Sequence, residues 1–164
     1  MKEIILNHQQ IEHKITRIAY QIYETFVDED EIILAGIASN GYKLAEEIQR
    51  RFVEISDIKI HLCEVNIDKI NPLGKITTSL DPDEYEGKSI ILVDDVLHSG
   101  TTLIYGVKHF LEVNIKKLKT VVLVDRNHKK FPVKADFKGI SLSTTAKEHV
   151  QVVFEEGNFS AYLQ

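Results

Sequence analysis

IILVDDVLHSGTT, residues 90–102, compresses an apolar run, two acids, a turn and a helix start into one short stretch. The segment SIILVDD (89–95) is apolar up to its acids, which predicts a strand buried on both faces. LHSG predicts a turn, and residues 101–112 place Leu103, Ile104, Val107 and Leu111 on one side of a helix. Ser99, Gly100, Thr101 and Thr102 therefore bring backbone N–H groups and hydroxyls to a helix N-terminus. Unpaired donors and the helix dipole attract a phosphate there. Gly100 lets the main chain approach an anion closely. Asp94 and Asp95 would repel that phosphate if aimed at it, so they fit beside it, holding sugar hydroxyls or a divalent cation.

Working outward, the same alternation recurs. Residues 8–26 carry Ile11, Ile15, Ile18, Ala19, Ile22 and Phe26 at helical spacing, with Asn7 and Gln10 in a capping-box pattern. EIILAGI (31–37) predicts a buried strand, residues 42–52 a helix, and 58–65 a second strand. Residues 66–88 contain Asn71-Pro72, Gly74, Asp81-Pro82 and Gly87, and predict a long loop with room for a short hairpin. KTVVLV (119–124) predicts a fourth strand, DRNHKKFP a loop, and residues 133–140 and 150–154 late short strands. Apolar strands alternating with amphipathic helices imply an α/β parallel sheet covered on both faces. Ligands of such folds bind outside the carboxyl ends of the strands.

The 164 residues suit one domain, 1–164, with an ordinary soluble composition of 43% hydrophobic and 27% charged residues. No apolar run is long enough to span a bilayer, so no membrane partner is expected. The N-terminus lacks a signal-peptide pattern and the single Cys63 cannot form an internal disulfide, so a cytoplasmic location is expected. Cys63 itself reads as a small buried hydrophobe. A net charge of −5 argues against general nucleic-acid binding, although Lys129, Lys130, Lys134 and Lys138 leave room for a local basic face.

Val93-Asp94-Asp95-Val96-Leu97-His98-Ser99-Gly100-Thr101-Thr102 resembles the signature with which type I phosphoribosyltransferases bind 5-phosphoribosyl-1-pyrophosphate (PRPP). The resemblance implies the type I phosphoribosyltransferase fold, a twisted parallel sheet flanked by helices, with a small hood and a flexible lid loop at 66–88. Asp94 and Asp95 would hold the ribose hydroxyls, and Leu97, His98, Ser99, Gly100, Thr101 and Thr102 the 5′-phosphate. Mg²⁺ would be held mainly by the ligand and water, with no direct protein ligand assigned. KITRIAYQI (14–22) and VVLVDRNHKKFPVKADFKG (121–139) are similar to bacterial pyrimidine-operon attenuation regulators that are also uracil phosphoribosyltransferases. That closer likeness implies uracil as the base and UMP as product. It places Asp125, Arg126 and Phe131 on the base side, within a base-side loop and late strands at 126–164. His128 would lie near an RNA-binding surface. It also implies a homodimer or higher homo-oligomer. Two other readings remain open: a nucleotide-sensing, RNA-binding regulator without turnover, and a purine-salvage phosphoribosyltransferase.

Two features depart from the resemblance. The position of the pyrophosphate loop is Ala38-Ser39-Asn40-Gly41, where the regulators carry Thr-Arg before the glycine. Asn40 supplies no charge, and Lys43 is the nearest replacement in sequence. The loop at 66–88 lacks the family's acidic-basic run, with Lys69, Lys75, Thr77, Thr78 and Ser79 as candidate substitutes.

Overall fold

A computed structural model describes residues 2–145 and 147–164. The chain runs β1 (Glu3–Leu6), α1 (His8–Thr25), β2 (Glu31–Ile37), α2 (Asn40–Ile55), β3 (Lys59–Asn66) and β4 (Thr77–Thr78). It continues through α3 (Pro82–Tyr85), β5 (Ser89–Leu97), α4 (Thr101–Phe110), β6 (Lys117–Asp125), β7 (Phe137–Ser141), β8 (Val150–Glu155) and β9 (Asn158–Leu163). Six strands form one sheet in the order β4-β3-β2-β5-β6-β7. All neighbours are parallel except β3 and β4, which make a short antiparallel hairpin.

The unbroken apolar strands split by pleat parity, because successive side chains face opposite sides of a sheet. Ile32 and Leu34 of β2, with Ile91 and Val93 of β5, join the core beneath α1 and α2. Ile33, Ala35 and Ile37, with Ile90 and Leu92, join the core on the α4 side around Phe110 and Tyr85. A strand polar on alternate residues could not serve both. Cys63 is fully buried in the second core, as its apolar surroundings predict.

The capping box at the start of α1 is present, with Asn7 accepting from the Gln10 N–H and the Gln10 side chain accepting from the Asn7 N–H. The strand readings of 31–37 and 58–65 match β2 and β3 to within a residue. The helix expected at 42–52 is longer, beginning at Asn40. The loop expected at 66–88 contains the hairpin strand β4. Its second half is more ordered than a loop: Asp81 caps α3 and Tyr85 is buried edge-on against Phe110.

The remaining strands form a separate three-stranded antiparallel sheet, β1-β9-β8, in which Glu3 lies opposite Leu163. This sheet is the hood. Sequence periodicity had located only β8, because β1 and β9 depend on each other across the chain. Among the described residues, no helix is long and apolar enough to cross a membrane.

Candidate functional site

β2 and β5 are neighbours at the centre of the sheet, and their following loops diverge to helices on opposite faces. A crevice opens where such a sheet changes direction. A cavity of about 420 Å³ lies there, lined by Asp94, Leu97, His98, Ser99, Gly100, Thr101, Thr102 and by Lys69 and Pro72 from the segment after β3.

The cradle is built locally. Gly100 has φ +87°, a left-handed conformation that a side chain would strain, and it starts α4. Ser99 Oγ and Thr101 Oγ1 lie 2.7 Å apart, and the Thr101 N–H donates to Ser99 Oγ at 3.3 Å. After Thr101, the N–H groups of Thr102 and Leu103 precede the first helical bond, from the Ile104 N–H to the Gly100 carbonyl, so they are donors for an anion in the cavity. The loop after β6 clips onto this turn, since the Lys130 N–H donates to the Ser99 carbonyl at 2.7 Å. Gly100 is closely packed there: a Cβ would sit 2.7 Å from Val133 Cγ1.

The acid pair stands at the other side. Asp94 is only 3% exposed, and its Oδ1 accepts the Asp95 N–H at 2.9 Å. Burial, and then the neighbouring Asp95 carboxylate, push the Asp94 carboxyl well above the usual range. Lys69 opposes that rise from 3.4 Å, and lies 4.0 Å from Asp95. Of the candidate substitutes on the segment 66–88, Lys69 is the one that reaches the acids. Lys75 lines a separate crevice beside Tyr105 and His109. The Thr78 hydroxyl donates to the Leu80 carbonyl, and Ser79 Oγ accepts the Glu64 N–H.

The loop Ala38-Ser39-Asn40-Gly41 abuts the pair. Gly41 packs so closely that a Cβ would lie 2.5 Å from the Val93 carbonyl oxygen. Asn40 Nδ2 donates to Asp95 Oδ2 at 3.0 Å and to the Val152 carbonyl of the hood at 2.8 Å. Its amide is thus spent on joining three elements. Lys43 does not replace the missing charge: it points to a groove with His8, Glu46 and Phe154 on the far side of α2.

The residues expected on the base side are held differently from one another. Asp125 is buried, accepts the Asn127 N–H at 2.9 Å and pairs with Lys138 at 3.6 Å. Arg126 is 6% exposed and held by protein. It donates to Thr144 Oγ1 at 3.0 Å, His98 Nδ1 at 2.8 Å, and the Thr145 and Glu148 carbonyls at 3.1 and 2.6 Å. Four of the five guanidinium N–H groups are thus committed to protein, so Arg126 mainly braces the site and keeps one Nη1 donor. Phe131 is 38% exposed beside the cradle. His128 donates from Nε2 to the Thr144 carbonyl, which ties the loop down. The bracing carbonyls of Thr145 and Glu148 left no sequence signal, because any residue supplies one.

Burial and then the Arg126 charge push the His98 imidazole down to about 4, so it is neutral near pH 7.

Comparison with known proteins agrees with this architecture. The phosphoribosyl transferase domain family matches residues 1–156. A Haemophilus ducreyi protein named bifunctional protein PyrR is 36% identical over 160 residues, covering 93% of this chain and 89% of its own. Its namesake from Streptococcus thermophilus is 32% identical, covering 94% and 91%. Among solved structures, the hypoxanthine phosphoribosyltransferase of Trypanosoma cruzi superposes with a TM-score of 0.77 at 15% identity, covering 97% and 95%. A hypoxanthine-guanine phosphoribosyltransferase from Bacillus anthracis gives 0.73 at 23%, covering 92% and 87%. At such identities the structural likeness speaks for the fold alone. The fold, the cradle beside an acid pair and the near-complete sequence match together place the chain in the phosphoribosyl transferase domain family, with the type I α/β architecture.

Proposed function

We propose that the chain transfers the 5-phosphoribosyl group of PRPP to a nucleobase, with uracil as acceptor and UMP as product, releasing pyrophosphate. The observation that carries this reading is the shared cavity of about 420 Å³, lined both by a helix N-terminal cradle and by the buried Asp94 carboxyl group. The resemblance of residues 14–22 and 121–139 to the uracil-using attenuation regulators supports uracil as the base, and the match to the bifunctional PyrR proteins over most of the chain supports the same family.

In this reading the amides and hydroxyls of Ser99 to Thr102 bind the 5′-phosphate. Asp94 and Asp95 accept hydrogen bonds from the ribose hydroxyls and orient the ring. The bond from the anomeric carbon to pyrophosphate breaks as a ring nitrogen of the base bonds to that carbon, through an oxocarbenium-like state, and the proton of that nitrogen leaves to water or the departing pyrophosphate. Carboxylates beside the ring favour that positive charge, and positioning supplies much of the barrier reduction. Lys69, on the segment after β3, brings a positive charge to the cavity wall beside the acids.

The donor set suits a hard divalent cation carried by the ligand, since two carboxylates share one nearby ammonium group. Mg²⁺ carried by PRPP would supply charge neutralisation to the leaving pyrophosphate, and Asp94 and Asp95 are the residues that would lie nearest to it. Incubation with PRPP, Mg²⁺ and each of uracil, hypoxanthine, guanine, adenine and orotate tests the proposal. Pyrophosphate release with uracil is expected, and no release with any base would overturn it.

One observation favours a second reading, a nucleotide-sensing regulator that binds RNA with little turnover. The Asn40 amide is committed to Asp95 and the hood, so the expected pyrophosphate loop brings no free charge. A gel shift with RNA, with and without UMP, separates the two readings by its salt dependence and ligand response.

A further inference from the structure

We propose that His98 is a fixed N–H donor to the nucleobase, reading a lone-pair acceptor on it, and is not the group that takes up a proton from the base. This rests on the nucleotide reading of the cavity above, and it assigns to the base a residue that the sequence resemblance groups with the 5′-phosphate.

The case begins with Arg126. A guanidinium has donors only. Its contact with His98 Nδ1 at 2.8 Å therefore makes Nδ1 the acceptor. Three further hydrogen bonds, to Thr144, Thr145 and Glu148, hold Arg126 in that orientation. An imidazole that accepts at Nδ1 must carry its proton on Nε2. His98 lines the cavity together with Asp94 and the cradle, directly after β5, and its neighbours Leu97 and Ser99 bond the chain after β6. No protein partner of Nε2 is found among the described residues.

The groups around the ring oppose a charged alternative. Arg126 from the end of β6, Lys69 from the segment after β3 and His149 just before β8 all disfavour a cation there. Asp95 on the same strand favours one and is outweighed by burial and Arg126. A second proton would also have to displace the Arg126 bond. The ring is thus locked as a neutral donor, and the matching ligand atom is a carbonyl oxygen or an unprotonated ring nitrogen. A ligand presenting an N–H at that point would set two donors face to face and be rejected.

The test has two arms. In the first, ¹⁵N imidazole spectra of the full chain, with His98 assigned by its absence in His98→Gln, report the tautomer from pH 5.5 to 8. A neutral ring protonated on Nε2 is expected throughout. A ring protonated on Nδ1, or a charged ring, overturns the proposal. In the second arm, UMP and ribose 5-phosphate are titrated calorimetrically into wild type, His98→Phe and His98→Gln. His98→Phe should weaken UMP about tenfold, the loss of one hydrogen bond, and leave ribose 5-phosphate within about twofold. His98→Gln, whose amide also donates, should retain UMP within about threefold. Equal loss of both ligands in His98→Phe would place the donor on the phosphate and overturn the assignment. Wild type that binds neither ligand overturns the nucleotide reading, and this assignment with it. UMP binding together with the other tautomer overturns this assignment alone.

Discussion

Arg126→Met should cost the fold about 3 kcal/mol, and the figure can be worked from the contacts. The substitution keeps a long apolar stem but removes a buried guanidinium that makes four hydrogen bonds. Each acceptor left without a partner costs about 1 kcal/mol. Four such losses give about 4 kcal/mol, and the exposed Thr145 can regain one partner from water, which leaves about 3. For a chain of this size, 1 kcal/mol moves the melting temperature by about 2–4 °C, so the variant should melt roughly 6–12 °C below wild type. Arg126→Lys keeps the charge but not the planar fork, and should recover less than half of the loss. Scanning calorimetry of the three proteins at pH 7 decides the matter. If Arg126→Met melts within about 2 °C of wild type, the brace between the β6 end and the stretch before β8 is not structural.

Two other expectations follow from the titrating groups. His98 is held neutral, with its folded pKa pushed down to about 4 against an ordinary 6.5, so the unfolded chain binds more protons between those values. Stability should therefore fall as pH drops from about 6.5 towards 4, by roughly 2 kcal/mol at pH 5, and His98→Phe should flatten that slope in urea melts. Asp94 is perturbed in the opposite direction: its raised pKa means a contribution present in acid and lost as pH rises through the folded value. Asp94→Asn should then raise the melting temperature, increasingly so at higher pH, while abolishing calorimetric binding of ribose 5-phosphate. A destabilised variant, or one that still binds, would contradict the assigned role.

Strand β5, its acids and the turn into α4 were legible in sequence because each is local: an apolar run, a glycine and a helix start announce themselves within a few residues. The buried halves of β2 and β6 were legible for the same reason. β1 and β9 were not, since EIIL and NFSAYL become strands only by pairing with each other from opposite ends of the chain. α3 was hidden inside a segment whose Pro and Gly content reads as loop, although Asp81 and Pro82 are also a good helix start. At the site, spacing along α2 made Lys43 a plausible counter-charge, but helix geometry turns it to the far groove. Lys69 is the cation that arrives, placed by the path of the chain after β3. The role of Arg126 as a brace was invisible because its partners are two main-chain carbonyls, a distant threonine hydroxyl and a histidine in the turn after β5.

The adjacency of β2 and β5 has a practical consequence. Ile33 pairs with Ile90, so the loops that face each other across the crevice are held together by a contact between distant parts of the chain. No fragment containing only one of these loops can present the crevice, and partial opening of the central sheet destroys it. Occupancy is therefore coupled to the global unfolding equilibrium, and a compound bound at 100 times its dissociation constant adds about 2.7 kcal/mol of stability to the whole molecule. Label-free thermal screening of nucleotides and bases thus becomes a direct ranking of what the crevice accepts.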